Sequence, residues 1–120
     1  MIGTNDANDN YDMANAPKRL GNLIDSIYAQ LPNVLLVVAQ VIPTQDDTIN
    51  ARTQTYNAGI PAVVQTRANA GKHIRLVDMY SVIANHANYQ TALLQDTWHL
   101  NSNGYTLIGA AWYGALSDVL

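Results

Sequence analysis

Asp96 and His99 lie three residues apart in Asp96-Thr97-Trp98-His99, directly before Leu100-Asn101-Ser102-Asn103-Gly104-Tyr105. A turn through Thr97 and Trp98 would let both side chains reach one point. A carboxylate that accepts a hydrogen bond from one imidazole nitrogen fixes the tautomer, and leaves the other nitrogen free to take a proton from a nucleophile. The same Asp-x-x-His turn also serves simply to satisfy a surface histidine, so the pair alone leaves both readings open. At the other end of the chain, Gly3-Thr4-Asn5-Asp6 supplies a side-chain amide.

The elements that would carry these groups follow from periodicity. Residues 1–6 read as the end of a strand running into a loop, and 7–15, rich in Asn and Asp, as an irregular segment. From Asn15, with Pro17 in the first turn, Leu20, Leu23, Ile24, Ile27 and Leu31 recur at helical spacing up to Pro32. Residues 34–39 (VLLVVA) form an unbroken β-branched run, the pattern of a parallel strand covered on both faces. A helix over about 50–70 is expected, with Ile60, Val63, Val64 and Arg67 on one face, a stop at Gly71, and a kink or restart at Pro61. A strand over 74–79, a loop-rich stretch over 80–95 with a helical turn at 81–84 or 91–94, and a last helix from about Asn101 complete the chain. That helix places Tyr105, Ile108, Trp112, Leu116 and Val119 on one face.

The order predicts a single α/β domain with a right-handed βαβ crossover and three layers, holding about two strands and three main helices. The apolar 34–39 strand calls for neighbours on both edges and finds one, so the chain reads as part of a larger sheet with an edge open to pairing with a second copy.

Composition bounds the partners. Of 120 residues 48% are hydrophobic, so the chain is globular; all nine acidic residues are Asp and the net charge is −3, which gives no basic face for nucleic acid. Cysteine is absent, removing disulfides and thiolate chemistry. No apolar run has the roughly 18 residues of a membrane span, and residues 1–3 are not a signal peptide, so any leader lies outside this sequence. His73 and His86 lack partners at ligand spacing and read as surface residues. Asp6, Asn8, Asp9, Asn10 and Asp12 alternate as calcium ligands do, but without the turn Gly and terminal Glu of a calcium loop; no cofactor is required. Trp98 and Trp112 are candidate sugar-stacking platforms, Trp98 more so because Trp112 sits at core spacing. Tyr11 and Tyr89 fall in loops that could border a cleft.

Together, Gly3-Thr4-Asn5-Asp6 and Asp96-Thr97-Trp98-His99 resemble the G-x-N-D and D-x-x-H blocks of the SGNH (GDSL) hydrolases. Residues 22–25, 56–61, 67–72 and 103–105 look most like the family 3 carbohydrate esterases, the acetyl xylan esterase branch. The resemblance implies a flavodoxin-like parallel sheet with its site at the carboxyl ends of the strands. It makes His99 the general base, Asp96 its orienting carboxylate, Asn5 an oxyanion-hole donor, Trp98 a candidate substrate contact and Asp6 a brace. It also implies a carbohydrate or small acetyl ester as substrate and an extracellular setting. The family's G-D-S block, with the nucleophilic serine, precedes G-x-N-D; none of Ser26, Ser81, Ser102 or Ser117 lies in such a context, and Ser102 reads as the first turn of the last helix. Alone, the chain reads as a C-terminal portion, lacking its nucleophile and catalytically weak or inactive.

Overall fold

The computed structural model describes residues 2–120. In chain order the elements are α1 (Thr4–Asp9), a 3-10 turn (Met13–Asn15), α2 (Ala16–Gln30), β1 (Leu36–Ala39), α3 (Asp47–Asn69), β2 (Ile74–Val77), α4 (Met79–Ala84), α5 (Tyr89–Ala92) and α6 (Ser102–Leu116). β1 and β2 pair in parallel, Leu36 opposite Ile74 and Ala39 opposite Val77. With α3 as the crossover, this is the α/β, parallel-sheet architecture expected.

Side chains alternate across the sheet. Leu36, Val38 and Ile74 pack with Leu20, Ile24, Tyr28, Ile60 and Val64 of α2 and α3 in the larger core. On the opposite face Arg75 reaches α6, donating to Ala115 O at 2.6 Å and to both carboxylate oxygens of Asp118 at 2.5 and 2.8 Å. A second core joins Ile83, Leu93, Leu94 and Leu100, with Leu107 and Ile108 of α6 packed against it. The three layers are thus α2 with α3, the sheet, and α6.

One edge of β1 is unoccupied. Leu36 N–H donates to His73 O and Gln40 N–H to Val77 O, so the even-numbered residues address β2. In a parallel ladder the alternate residues, Val37 and Ala39, then turn their backbone groups outward. No strand meets them among the described residues. A groove of about 210 Å³ runs along this edge between Leu23 and Ile27 of α2 and Trp112 of α6.

Two expectations need correction. The opening segment is neither a strand end nor irregular: residues 4–9 form α1, while Met1 lies outside the described residues. Tertiary bonds hold this Asn- and Asp-rich stretch in a helix. Arg19 donates to Asp6 Oδ1 at 2.6 Å, Arg52 donates to the carbonyls of Ala7 and Asn8 at the helix end at 3.2 and 3.1 Å, and Ala7 is fully buried. Pro61 does not interrupt α3. Proline has no N–H for the carbonyl four residues back, and here Gln40 Nε2 donates to that Asn57 carbonyl instead, at 3.3 Å. Gly71, at φ +79°, ends the helix region as expected.

Candidate active site

The Asp96–His99 turn is built by its own carboxylate. Asp96 Oδ1 accepts from the Trp98 and His99 backbone N–H groups, both at 2.8 Å, an Asx turn that brings His99 Nδ1 to 3.0 Å from Oδ1 and 2.9 Å from Oδ2. An ionised carboxylate only accepts, so Nδ1 carries the proton and Nε2 holds the basic lone pair.

Neighbouring elements fix the turn. Gln95 N–H donates to His99 O, Leu94 and Leu100 form an antiparallel bridge, and Gln45 N–H, on the loop after β1, donates to Thr97 O at 3.1 Å. Asn101 then closes the stretch: its Oδ1 caps α6 at Asn103 and Gly104, and its Nδ2 donates to Ala92 O at 2.9 Å.

The three bonds from Trp98 N–H, His99 N–H and the His99 ring, in that order, pull the Asp96 carboxyl below its ordinary range against a small opposing effect of burial. A carboxylate whose pKa is lower folded than unfolded stabilises its turn fully above the unfolded value, and loses that contribution as pH falls through the folded one. The turn is therefore expected to hold through weakly acidic pH and to open only below the usual carboxylate range. Fluorescence of Trp98, followed in a Trp112→Phe background, checks this; Asp96→Asn should abolish the transition.

His99 forms one wall of a cleft of about 750 Å³, also lined by Thr4, Asn5, Asn8, Ile42, Thr44, Trp98, Leu100, Tyr105, Ile108 and Trp112. The cleft lies at the carboxyl end of β1, where Ile42 and Thr44 leave the sheet, and α1 delivers Asn5 to its other side. The Asn5 amide is exposed and makes no side-chain hydrogen bond to any described residue, so its two N–H groups are free to donate. Gly3 sets the height of α1: it sits at φ +102°, packed on the ring of Tyr56.

Asp6 braces α1 through Arg19. Trp98 lines the cleft, and so does Trp112, half-buried and bordering both the cleft and the β1 groove, which corrects its reading as core. Tyr11 and Tyr89 line neither: Arg19 stacks over Tyr11, and Tyr89 is hydrogen-bonded beneath the loop after β1. Asp6 and Asp12 both pair with Arg19, and among the described residues no three acidic or imidazole groups converge. No serine borders the cleft. Ser26 donates to Asn22 O, Ser81 pairs with Asp78, and Ser102 and Ser117 lie at the two ends of α6. Thr44 is a cleft residue that the sequence did not single out; Asn8 was noted only as an oxygen-bearing member of the acidic loop, and Tyr105 only within the 103–105 block and on the apolar face of the last helix.

A sequence profile of the GDSL-like lipase/acylhydrolase family matches residues 1–107. The chain belongs to this hydrolase family. It is 38% identical over 101 residues to a curated Acetivibrio thermocellus protein provisionally named endoglucanase X, covering 84% of this chain and 42% of that protein. Among solved structures, a Clostridium thermocellum family 3 carbohydrate esterase superposes with a TM-score of 0.76 at 34% identity, covering 96% of this chain and 52% of that one. The GDSL-like chain thus spans about half the length of these relatives.

Proposed function

We propose that this chain carries the base and oxyanion side of a carboxyl-ester hydrolase site acting on acetyl esters of carbohydrates or of small alcohols. One observation carries the reading: His99, with Nδ1 held by Asp96 at 2.9 Å, shares a cleft with the side-chain amide of Asn5, which is hydrogen-bonded to no other side chain or backbone group among the described residues. In the reaction a serine hydroxyl, supplied by a segment outside this chain, adds to the ester carbonyl. Its proton passes to His99 Nε2, and the carbonyl oxygen becomes an oxyanion that the Asn5 amide stabilises. His99 then returns the proton to the departing alcohol, and water releases the acetyl group by the same steps. The open edge of β1 is the natural seat for such a segment, because a strand added there in parallel ends at the cleft.

The carbohydrate part of the reading rests on the solved relative's being a family 3 carbohydrate esterase and on the aromatic residues Trp98, Tyr105 and Trp112 along the cleft. Aromatic faces stack on sugar rings through their apolar face.

The test is to fuse ahead of this chain a segment bearing the family's G-D-S block, taken from a relative. The fusion should hydrolyse an aryl acetate above the buffer rate. Asn5→Ala should then lower kcat by about 100- to 1,000-fold, the loss expected for one oxyanion donor. An unaltered kcat would remove Asn5 from the site. The same free edge supports a second reading, in which two copies pair strand to strand; light scattering at high concentration should then report a dimer, and a monomer ends that reading.

A further inference from the structure

Two asparagines on α3, Asn50 and Asn57, are buried and lie seven residues apart, two helical turns, on one face. Each grips a single residue of the loop after β1 by both of its backbone groups. Asn57 Oδ1 accepts from Val41 N–H at 2.9 Å and its Nδ2 donates to Val41 O at 2.8 Å. Asn50 Oδ1 accepts from Thr44 N–H at 2.7 Å and its Nδ2 donates to Thr44 O at 2.9 Å. The two side chains thus act as a substitute strand, satisfying a stretch that has left the sheet but remains buried.

The two clamps differ in what lies beyond them. Past Val41 is Ile42, which borders the cleft and meets the Leu93, Leu94 and Leu100 cluster by apolar packing. Next to Thr44 is Gln45, whose N–H donates to Thr97 O at 3.1 Å inside the Asp96–His99 turn, and whose Nε2 donates to Gln90 O at 2.8 Å. The Asn50 clamp is also reinforced: Asn50 Nδ2 donates to the Tyr89 hydroxyl at 3.1 Å, and that hydroxyl donates to Thr44 O at 3.2 Å.

We infer that Asn50 is a positioning residue for His99, acting through Thr44, Gln45 and Thr97, whereas Asn57 is a purely structural counterpart. Thr44 borders the cleft, so the clamp sets the distance between the cleft floor and the turn that carries the base. The inference rests on His99 being the base; its test reads the turn without substrate. Hydrolysis can therefore fail while the coupling holds, or the reverse.

The experiment measures amide hydrogen exchange by NMR on the ¹⁵N-labelled chain, with rates at Gln45 and Gln95 referred to that of the core residue Val64. Asn50→Ala should accelerate Gln45 and Gln95 at least tenfold relative to Val64. Asn57→Ala, which removes an equivalent pair of bonds, should leave those ratios unchanged. The ring ¹⁵N shifts of His99, which report whether Nδ1 still faces Asp96 with its proton, should move in Asn50→Ala and stay fixed in Asn57→Ala. Unchanged ratios in Asn50→Ala, or equal acceleration in both variants, overturn the proposal. Should Asn50→Ala not fold, Tyr89→Phe decides: it removes only the reinforcing hydroxyl, and should accelerate the same two amides two- to threefold, with no change overturning the proposal.

Discussion

Replacing His99 by alanine in the serine-bearing fusion should abolish aryl acetate hydrolysis, on the order of a million-fold in turnover, as loss of a triad member does in a protease. The size follows from the division of labour in the cleft. Without Nε2 nothing accepts the serine proton, and what remains is binding plus the Asn5 amide, worth about 100- to 1,000-fold. Asp96→Asn should cost less, because the imidazole survives and only its tautomer and orientation are lost; about ten-thousand-fold is expected. Stopped assays with a chromogenic acetate give both ratios. Persistence of activity in His99→Ala would locate the base elsewhere and sink the assignment.

Gly3→Ala should be the most damaging single-methyl change in the chain. Two independent costs meet there. At φ +102° an L-residue is strained, by about 1–3 kcal/mol, and the new Cβ would stand 2.4 Å from Tyr56 Cε1, closer than carbon atoms approach. Tyr56 cannot swing aside, since it is 3% exposed and packed in the larger core. Urea unfolding should show a total loss of about 3 kcal/mol, against a whole-domain stability of only about 5–15 kcal/mol. A double-mutant cycle with Tyr56→Leu separates the terms, because the clash is relieved while the backbone strain stays. Should Gly3→Ala be neutral, the ring of Tyr56 is not what sets the height of α1.

The long elements were legible because their information is local. Leu20 and Ile24 repeat at helical spacing with Pro17 in the first turn, and 34–39 is an apolar run that only a covered strand explains; α2 and β1 follow, β1 shortened to Leu36–Ala39. The Asp96–His99 turn was legible for the same reason, since one carboxylate organises four consecutive residues. What escaped depends on groups far apart in the chain. Helix α1 relies on Arg19 and Arg52, 13 and 45 residues distant from Asp6 and Ala7, to override the turn preference of Asn and Asp. The unbroken course of α3 through Pro61 relies on Gln40, and the inward face of α3 carries Asn50, Thr53 and Asn57, which no apolar pattern marks. Trp112 was misread because helical spacing shows which face a residue occupies but not whether that face meets packed protein or a cleft.

Trp112 lies between the β1 groove and the cleft and forms part of both. An occupant of either space that shifts this indole therefore alters the wall of the other. Whatever factor an ester in the cleft applies to the affinity of the groove for its occupant, the occupant returns to the ester, because binding coupling is reciprocal. On the proposed reading, a substrate analogue in the cleft and an occupant of the β1 groove are expected to report on one another through Trp112.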